Sequence, residues 1–215
     1  MPEAPQELRR RFHQQLDDID AKVIRLFAMV AEGVAAASHA LLSGDTETAR
    51  SFSERDRSVD RLELDLEQVA EHELLTQTPM AGDMRFLVSV LRVVPELERS
   101  GDLAEHIGQR AAAGMGERLT PTVRGMLEEM ATITSAMWRR AGDAWAERDG
   151  EVAAELDKAD DNLDDLHDRL VAELGQADIP LADALQTTLV ARFYERLGDH
   201  AVHISERVRY LATGT

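Results

Sequence analysis

The sequence predicts an all-α protein built from two tandem, pseudo-repeated bundles of three helices each. Three observations predict it: a helix-forming composition, widely spaced helix-ending residues, and a decapeptide that occurs twice. The 215 residues include only 13 Gly and 6 Pro, and Ala, Leu, Glu, Arg and Asp fill the segments between them, as is typical of long helices. No alternation of apolar and polar residues long enough for a strand interrupts these segments.

Helical periodicity and end signals predict six helices. Their approximate ranges are 7–42, 45–76, 83–114, 121–149, 151–174 and 180 to near the C-terminus. The clearest start is Thr120-Pro121, because threonine caps helix N-termini and proline suits the first helical position. A glycine-containing joint precedes it, so we predict a first repeat over 1–116 and a second over 117–215. Neither repeat need be an independent domain.

The repeated decapeptides are Glu98–Ile107 and Glu195–Ile204, which both read E-R-x-G-D-x-A-x-H-I. Residues four apart on a helix lie on one face, so each decapeptide places a glutamate, an aspartate and a histidine along one stripe. The preceding helices also match, with Asp56 and Asp60 recurring as Asp160 and Asp164 at an offset of 104. The decapeptides are offset by only 97, so the second repeat has a shorter connection before its third helix.

Four carboxylate pairs with i, i+4 spacing therefore occupy matching positions of the two repeats. They are Asp56/Asp60, Glu98/Asp102, Asp160/Asp164 and Glu195/Asp199. Like charges at this spacing repel by about 0.2–0.5 kcal/mol. Acids at the edge of a helical bundle are commonly solvated or paired with basic residues, but their recurrence at four positions favours a bound cation. Oxygen ligands suit Mg²⁺, Mn²⁺, Ca²⁺ or iron, and the identity of the metal stays open.

Residues beside these acids carry further information. Gly101 and Gly198 each cost about 1 kcal/mol in a helix interior, which indicates either close helix packing or room for what the carboxylates hold. His106 and His203 extend the stripe by one turn, either as metal ligands or as hydrogen-bond partners of a ligating carboxylate. Pro95 removes a helical hydrogen bond just before Glu98 and is expected to kink the helix.

The charge and the missing motifs exclude several classes of protein. A net charge of −17 and a pI near 4.8 disfavour binding to nucleic acid or to an anionic membrane surface. The absence of cysteine excludes disulfides and thiolate metal sites. The start lacks the apolar core of a signal peptide, and no run is expected to approach the roughly 18 apolar residues of a membrane span, which predicts a cytoplasmic protein without membrane insertion.

Enzyme motifs are also missing, since neither a phosphate-binding Gly-rich loop nor a G-x-S-x-G elbow occurs. Ferritin-like di-metal sites use Glu-x-x-His, whereas Glu98 and His106 are eight apart. This different spacing weakens the prediction of an oxidase or ferroxidase. A carboxylate-bridged metal enzyme and a metal-free helical scaffold stay open as alternatives.

Taken together, the duplicated E-R-x-G-D segments, the D-x-x-x-D motif of each second helix and the segment 78–85 resemble the PhoU family of bacterial phosphate-uptake regulators. The resemblance covers nearly the whole chain. It implies a cytoplasmic homodimer that holds metal ions (Mg, Mn, Fe or Zn) at the four carboxylate pairs. It also implies a non-enzymatic regulator with two partners, the ATP-binding subunit of the phosphate ABC transporter and a phosphate-sensing histidine kinase. Pro95 and the two histidines depart from the commonest family pattern.

Overall fold

The computed structural model describes residues 5–46 and 52–214, with side chains for residues 6–46 and 57–214. Long α-helices dominate this part of the chain, and it contains no β-strand. Six long helices lie in the described residues: α1 Pro5–Ser43, α2 Phe52–Thr76, α3 Ala81–Ala112, α4 Pro121–Glu147, α5 Ala153–Leu174 and α6 Leu181–Thr213. The predicted all-α fold class is thus confirmed.

The ends of the helices follow the local sequence closely. Thr120 caps α4 by accepting a hydrogen bond from the Val123 N–H, and proline occupies the first turn as expected. A 3-10 turn over Gly150–Val152 precedes α5, which therefore begins slightly later than predicted. The predicted start of the second helix at Asp45 falls beside residues 47–51, which lie outside the described part of the chain.

Each repeat forms one three-helix unit, and the two units meet through α1 against α4 and α3 against α6. Contacts along the α3–α6 pair show that these helices are antiparallel. Ser100 Oγ and His200 Nδ1 are hydrogen-bonded at 2.9 Å near the middle, while Arg118 and Asp183 form an ion pair of 2.8 Å at one end. The third helices of the two repeats therefore cross near their centres.

Buried aromatic residues join the repeats into one core. Trp138, Trp145 and Tyr194 are fully buried. The Trp138 indole N–H donates to the Leu197 carbonyl at 3.1 Å, and the Tyr194 hydroxyl donates to Ser38 Oγ at 2.9 Å. These bonds tie α4 and α1 to α6, so the repeats share their interior.

One carboxylate connects α1 to the end of α4. Asp20 accepts a hydrogen bond of 2.8 Å from the Trp145 indole N–H and forms an ion pair of 2.7 Å with Arg148. The Arg148 guanidinium in turn lies over the rings of Trp145 and Phe86, the latter on α3. The first repeat thus holds the last turn of α4 through both charge and ring contacts.

The expectation that no segment approaches a membrane span was wrong for α1. Within Gln6–Ser43 an 18-residue window has a mean hydropathy of 1.5, enough in length and composition to cross a membrane, and 44% of it is buried inside the fold. A core helix passes the same test. Because α1 packs against α2, α3 and α4, its apolar residues face three helices, which explains its unusual hydropathy.

Candidate metal centres

Acidic side chains of α2 and α3 converge into a first acidic cluster, formed by Asp60, Glu63, Glu98 and Asp102. Carboxylate oxygens of Asp60, Glu98 and Asp102 lie within 4.8 Å of one another. Glu98 and Asp102 are half-buried one helical turn apart on α3, and Asp60 reaches them from the exposed edge of α2. Three of the four acids predicted in this repeat are thus brought together, while the side chain of Asp56 lies outside the described residues.

Burial and the charges of neighbouring acids raise the pKa of two members of this cluster, Glu98 and Glu63. Burial, reinforced by the charges of Asp102, Glu63 and Asp60, raises the pKa of Glu98 to about 7, and Arg99 opposes this only in part. Burial, followed by the charges of Glu67 and Asp60, also raises the pKa of Glu63. A positive ion among these carboxylates would remove the electrostatic cost that both shifts reflect.

A second acidic cluster, formed by Asp160, Asp164, Glu195 and Asp199, lies where α5 faces α6. Burial, reinforced by the charges of Asp164 and Asp199, raises the pKa of Asp160 to about 7. Burial also raises the pKa of Asp164, with further contributions from Glu195 and Asp199. The four acids predicted in this repeat therefore interact electrostatically across the seam between α5 and α6.

Two residues with basic side chains distinguish the second cluster from the first. Glu195 forms an ion pair with Arg192 through one oxygen, and its other oxygen lies 3.6 Å from His167 Nε2. That distance exceeds a hydrogen bond. At the offsets of the repeat, Arg192 corresponds to Pro95 and His167 to Glu63. Within the described residues, the close three-carboxylate arrangement is found in the first cluster and not in the second.

The two duplicated glycines have different neighbours. A methyl group at Gly198 would lie 2.3 Å from Asp160 Oδ1 and 2.8 Å from a Leu163 methyl, whereas one at Gly101 would lie 3.2 Å from a Val59 methyl. Gly101 thus serves close helix packing. Gly198 serves both predicted purposes, because it admits α5 and leaves the space that the Asp160 carboxylate occupies.

The candidate histidines lie further along the α3–α6 pair. The His106 ring stacks on Phe193 with 5.4 Å between ring centroids, and its Nδ1 is buried without a hydrogen-bond partner in the described residues. His203 is exposed and lines a groove beside Pro95. Their roles toward a metal stay predictions. Pro95 lies inside α3, which continues through it to Ala112.

A comparison with known protein families decides the relationship of the chain. The PhoU domain model matches it twice, over residues 23–111 and 127–208. The chain belongs to the PhoU family. It is 31% identical over 210 residues to the phosphate-specific transport system accessory protein PhoU homolog 2 of Mycobacterium tuberculosis. The aligned region covers 96% of this chain and 99% of that protein. A PhoU homolog from Synechocystis sp. is 32% identical, covering 96% and 93%.

Solved structures agree with this assignment. The crystal structure of PhoU from Pseudomonas aeruginosa superposes with a TM-score of 0.89 at 27% identity, covering 95% of this chain and 100% of that one. PhoU from Streptococcus pneumoniae shares the fold, with a TM-score of 0.84 at 22% identity and coverage of 95% and 98%. The PhoU resemblance and the two tandem repeats predicted from the sequence are confirmed.

Both PhoU repeats of this chain present oxygen atoms suited to a cation. Asp160 Oδ1 and Glu195 Oε2 are buried without a hydrogen-bond partner among the described residues, although buried polar atoms normally have one. The first cluster offers three carboxylates close enough to share an ion. Hard divalent cations and iron accept such oxygen ligands, so the residues of both clusters fit a metal.

Sequence patterning missed Glu63, His167 and Arg192 as members of the clusters. Glu63 and His167 directly follow the core positions Leu62 and Leu166 on α2 and α5, and this edge position was the available signal. Glu63 and His167 also occupy equivalent positions of the two repeats, which strengthens that signal. Which of several edge residues faces the third helix depends on how the helices pack, so the pattern alone did not select them.

Proposed function

We propose that this protein regulates phosphate uptake and keeps the phosphate-starvation response off when phosphate is plentiful. It acts in the cytoplasm by contact with other proteins rather than by catalysis. The observation that carries the proposal is the full-length similarity to proteins named phosphate-specific transport system accessory proteins, at 31% identity over 96% of the chain. The two-repeat fold at a TM-score of 0.89 to PhoU supports it.

The partners in this proposal are the ATP-binding subunit of the phosphate ABC transporter and a phosphate-sensing histidine kinase. The protein acts as a homodimer, without nucleic acid and without membrane insertion. Its net charge of −17 suits basic surfaces on such partners, because complementary charge accelerates encounter and suppresses wrong pairings.

Metal ions belong to the same proposal, as divalent or iron-type ions (Mg, Mn, Fe or Zn) held at the two acidic clusters. Asp60, Glu98 and Asp102 would hold one ion, and Asp160, Asp164, Glu195 and Asp199 another. The ion would neutralise like charges that face each other across α2–α3 and α5–α6. The carboxylates themselves position the ion and fix the separation of the helices, which sets the shape of the acidic surface that a partner meets.

A metal-retention experiment tests the ligand assignment. The quadruple variant Glu98→Gln, Asp102→Asn, Glu195→Gln and Asp199→Asn keeps side-chain volume and removes four charges, and it should lose the metal measured by elemental analysis of the purified protein. A matched control removes four exposed acids outside the clusters, Asp17, Asp18, Glu128 and Glu129, by the same substitutions. Full metal content in the quadruple variant would refute the assignment.

A genetic experiment tests the regulatory role. Deletion of the gene in its source bacterium should make phosphate-starvation enzymes constitutive in phosphate-rich medium, and the wild-type gene should restore repression. Normal repression in the deletion strain would contradict the proposal. Complementation with the quadruple variant then asks whether regulation requires the metal ligands.

A carboxylate-bridged metal enzyme is the second candidate function. The observation that favours it is the close approach of the Asp60, Glu98 and Asp102 carboxylate oxygens, which lie within 4.8 Å of one another, since a metal held by carboxylates can activate water or polarise a substrate. Metal-dependent turnover of oxygen or a phosphoester, lost in the quadruple variant and kept in the control, would support this candidate over the regulator.

A further inference from the structure

A groove of about 440 Å³ opens where α3 crosses α6, outside both acidic clusters. Six of its lining residues matter here: Arg92, Pro95, Glu96 and Arg99 of α3, and His203 and Arg207 of α6. The lining thus includes three arginines beside two glutamates, Glu96 and Glu206, in a chain whose net charge is −17. Since ligand pockets commonly measure about 300–1,000 Å³, the groove is large enough for a small molecule.

The internal repeat provides a filled counterpart of this groove. At the offset of 97, His203 corresponds to His106, Arg207 to Arg110, and Glu96 to Phe193. In the counterpart, the Phe193 ring stacks on His106 with 5.4 Å between centroids. The Arg110 guanidinium also lies over that ring, 4.8 Å from its centroid. A histidine and an arginine thus hold a flat aromatic ring on this side.

The groove keeps that histidine and arginine but lacks the ring. Glu96 stands where the counterpart has Phe193, and its carboxylate turns to Arg99 at 2.7 Å. His203 and Arg207 consequently line open space. Imidazole and guanidinium planes stack favourably on flat rings, so these two side chains are suited to an aromatic ring brought by a ligand.

One further feature specifies what the ring should carry. Arg92 and Arg99 lie on the α3 side of the groove and are exposed, and guanidinium groups bind phosphate oxygens through paired hydrogen bonds. Arg99 already pairs with Glu96, so a phosphate group would share that guanidinium with the carboxylate.

We propose that the α3–α6 groove binds a nucleoside phosphate. The base stacks against His203 and Arg207, and the phosphates bind Arg92 and Arg99. Binding requires neither the acidic clusters nor a metal, and the inference goes beyond the proposed function without resting on it.

The test is isothermal titration calorimetry on the full chain in EDTA, which prevents metal-bridged binding at the acidic clusters. The probes are AMP, ADP, ATP and GTP, with adenosine and inorganic pyrophosphate as the ring-only and phosphate-only halves. At least one nucleotide should bind ten or more times tighter than either half, because only the whole ligand contacts both the α3 and the α6 side of the groove. Equal affinity for pyrophosphate would overturn the role of the ring, and lack of binding by all nucleotides would overturn the proposal.

Substitutions locate the binding. Arg207→Lys keeps the charge but removes the flat guanidinium, and it should weaken nucleotide binding about tenfold while leaving pyrophosphate binding unchanged. Glu96→Phe should block the groove with a ring, as Phe193 does in the counterpart. Arg209→Ala removes an exposed arginine of the same helix outside the groove and should bind like the wild type. Unchanged affinity in a folded Arg207→Lys protein would place any nucleotide elsewhere.

Discussion

Replacing Gly198 by alanine tests whether the duplicated glycines have separate purposes. The added methyl group would lie 2.3 Å from Asp160 Oδ1 and 2.8 Å from a Leu163 methyl, closer than atoms can approach, so α5 and α6 must separate or both side chains must move. The same change at Gly101 places its methyl 3.2 Å from one Val59 methyl, which a shift of a few tenths of an ångström relieves. Gly125 of α4 has nothing within 4 Å and serves as the control.

The expected changes in the free energy of unfolding follow from two opposing effects. Alanine in place of glycine stabilises a helix interior by about 1 kcal/mol, and Gly125→Ala should gain nearly all of it. Overpacking a core contact costs about 1–3 kcal/mol. We therefore expect Gly198→Ala to lower the free energy of unfolding by about 1 kcal/mol relative to wild type, and Gly101→Ala to fall between the other two.

Urea denaturation followed by circular dichroism, at fixed pH and in EDTA, measures the three free energies of unfolding. Metal affinity gives a second readout, since Gly198→Ala displaces the Asp160 carboxylate while Gly101→Ala leaves Glu98 and Asp102 in place. If the Gly198→Ala protein has the same free energy of unfolding as the Gly125→Ala protein, the steric reasoning is refuted. Normal metal binding in a destabilised Gly198→Ala protein would separate packing from ligation.

Two further predictions concern buried polar groups. The pKa of Glu98, raised from 4.5 to about 7, and that of Asp160, raised from 3.8 to about 7, mean that the folded state binds more protons than the unfolded state between roughly pH 4 and 7. The free energy of unfolding of the metal-free protein should therefore fall as pH rises from about 4 through 7, by about 1 kcal/mol per group after solvent screening. Urea titrations at pH 5 and pH 8 measure this change, and a higher free energy of unfolding at pH 8 would contradict the prediction. Ser38→Ala leaves the buried Tyr194 hydroxyl without its acceptor and should cost about 1–3 kcal/mol, whereas Tyr194→Phe should cost about 1 kcal/mol because Ser38 still donates to the Val34 carbonyl. Thermal denaturation of both variants measures the difference, and an equal or reversed order would contradict the expected asymmetry.

Helical spacing predicted much of this protein because its determinants are local. The capping threonine before Pro121 set the start of α4, and the i, i+4 spacing of Glu98 and Asp102 placed both acids on one face. Duplication then identified the matching Glu195 and Asp199. Each of these inferences needs only residues close together on one helix, or two copies of the same segment.

Features that depend on packing between helices escaped the sequence. The Asp60 carboxylate meets those of α3 across a seam whose register no local pattern fixes, and His167 approaches Glu195 across the seam between α5 and α6. The α3–α6 groove depends on how the two repeats are placed. The hydropathy of α1 was misjudged for the same reason, since a helix that contacts three others needs a wider apolar face than one at the surface.

Covalent linkage of the two repeats has an evolutionary consequence. In a symmetric dimer of single repeats, every substitution would appear on both sides of the axis. A tandem gene duplication removes that constraint, so one copy can acquire a change while the other keeps the ancestral contact. Two positions have diverged in this way: Glu63 of the first repeat corresponds to His167 of the second, and Glu96 corresponds to Phe193. One polypeptide can thereby carry two unlike acidic clusters, and two unlike sides of a single helix crossing, on a nearly symmetric frame.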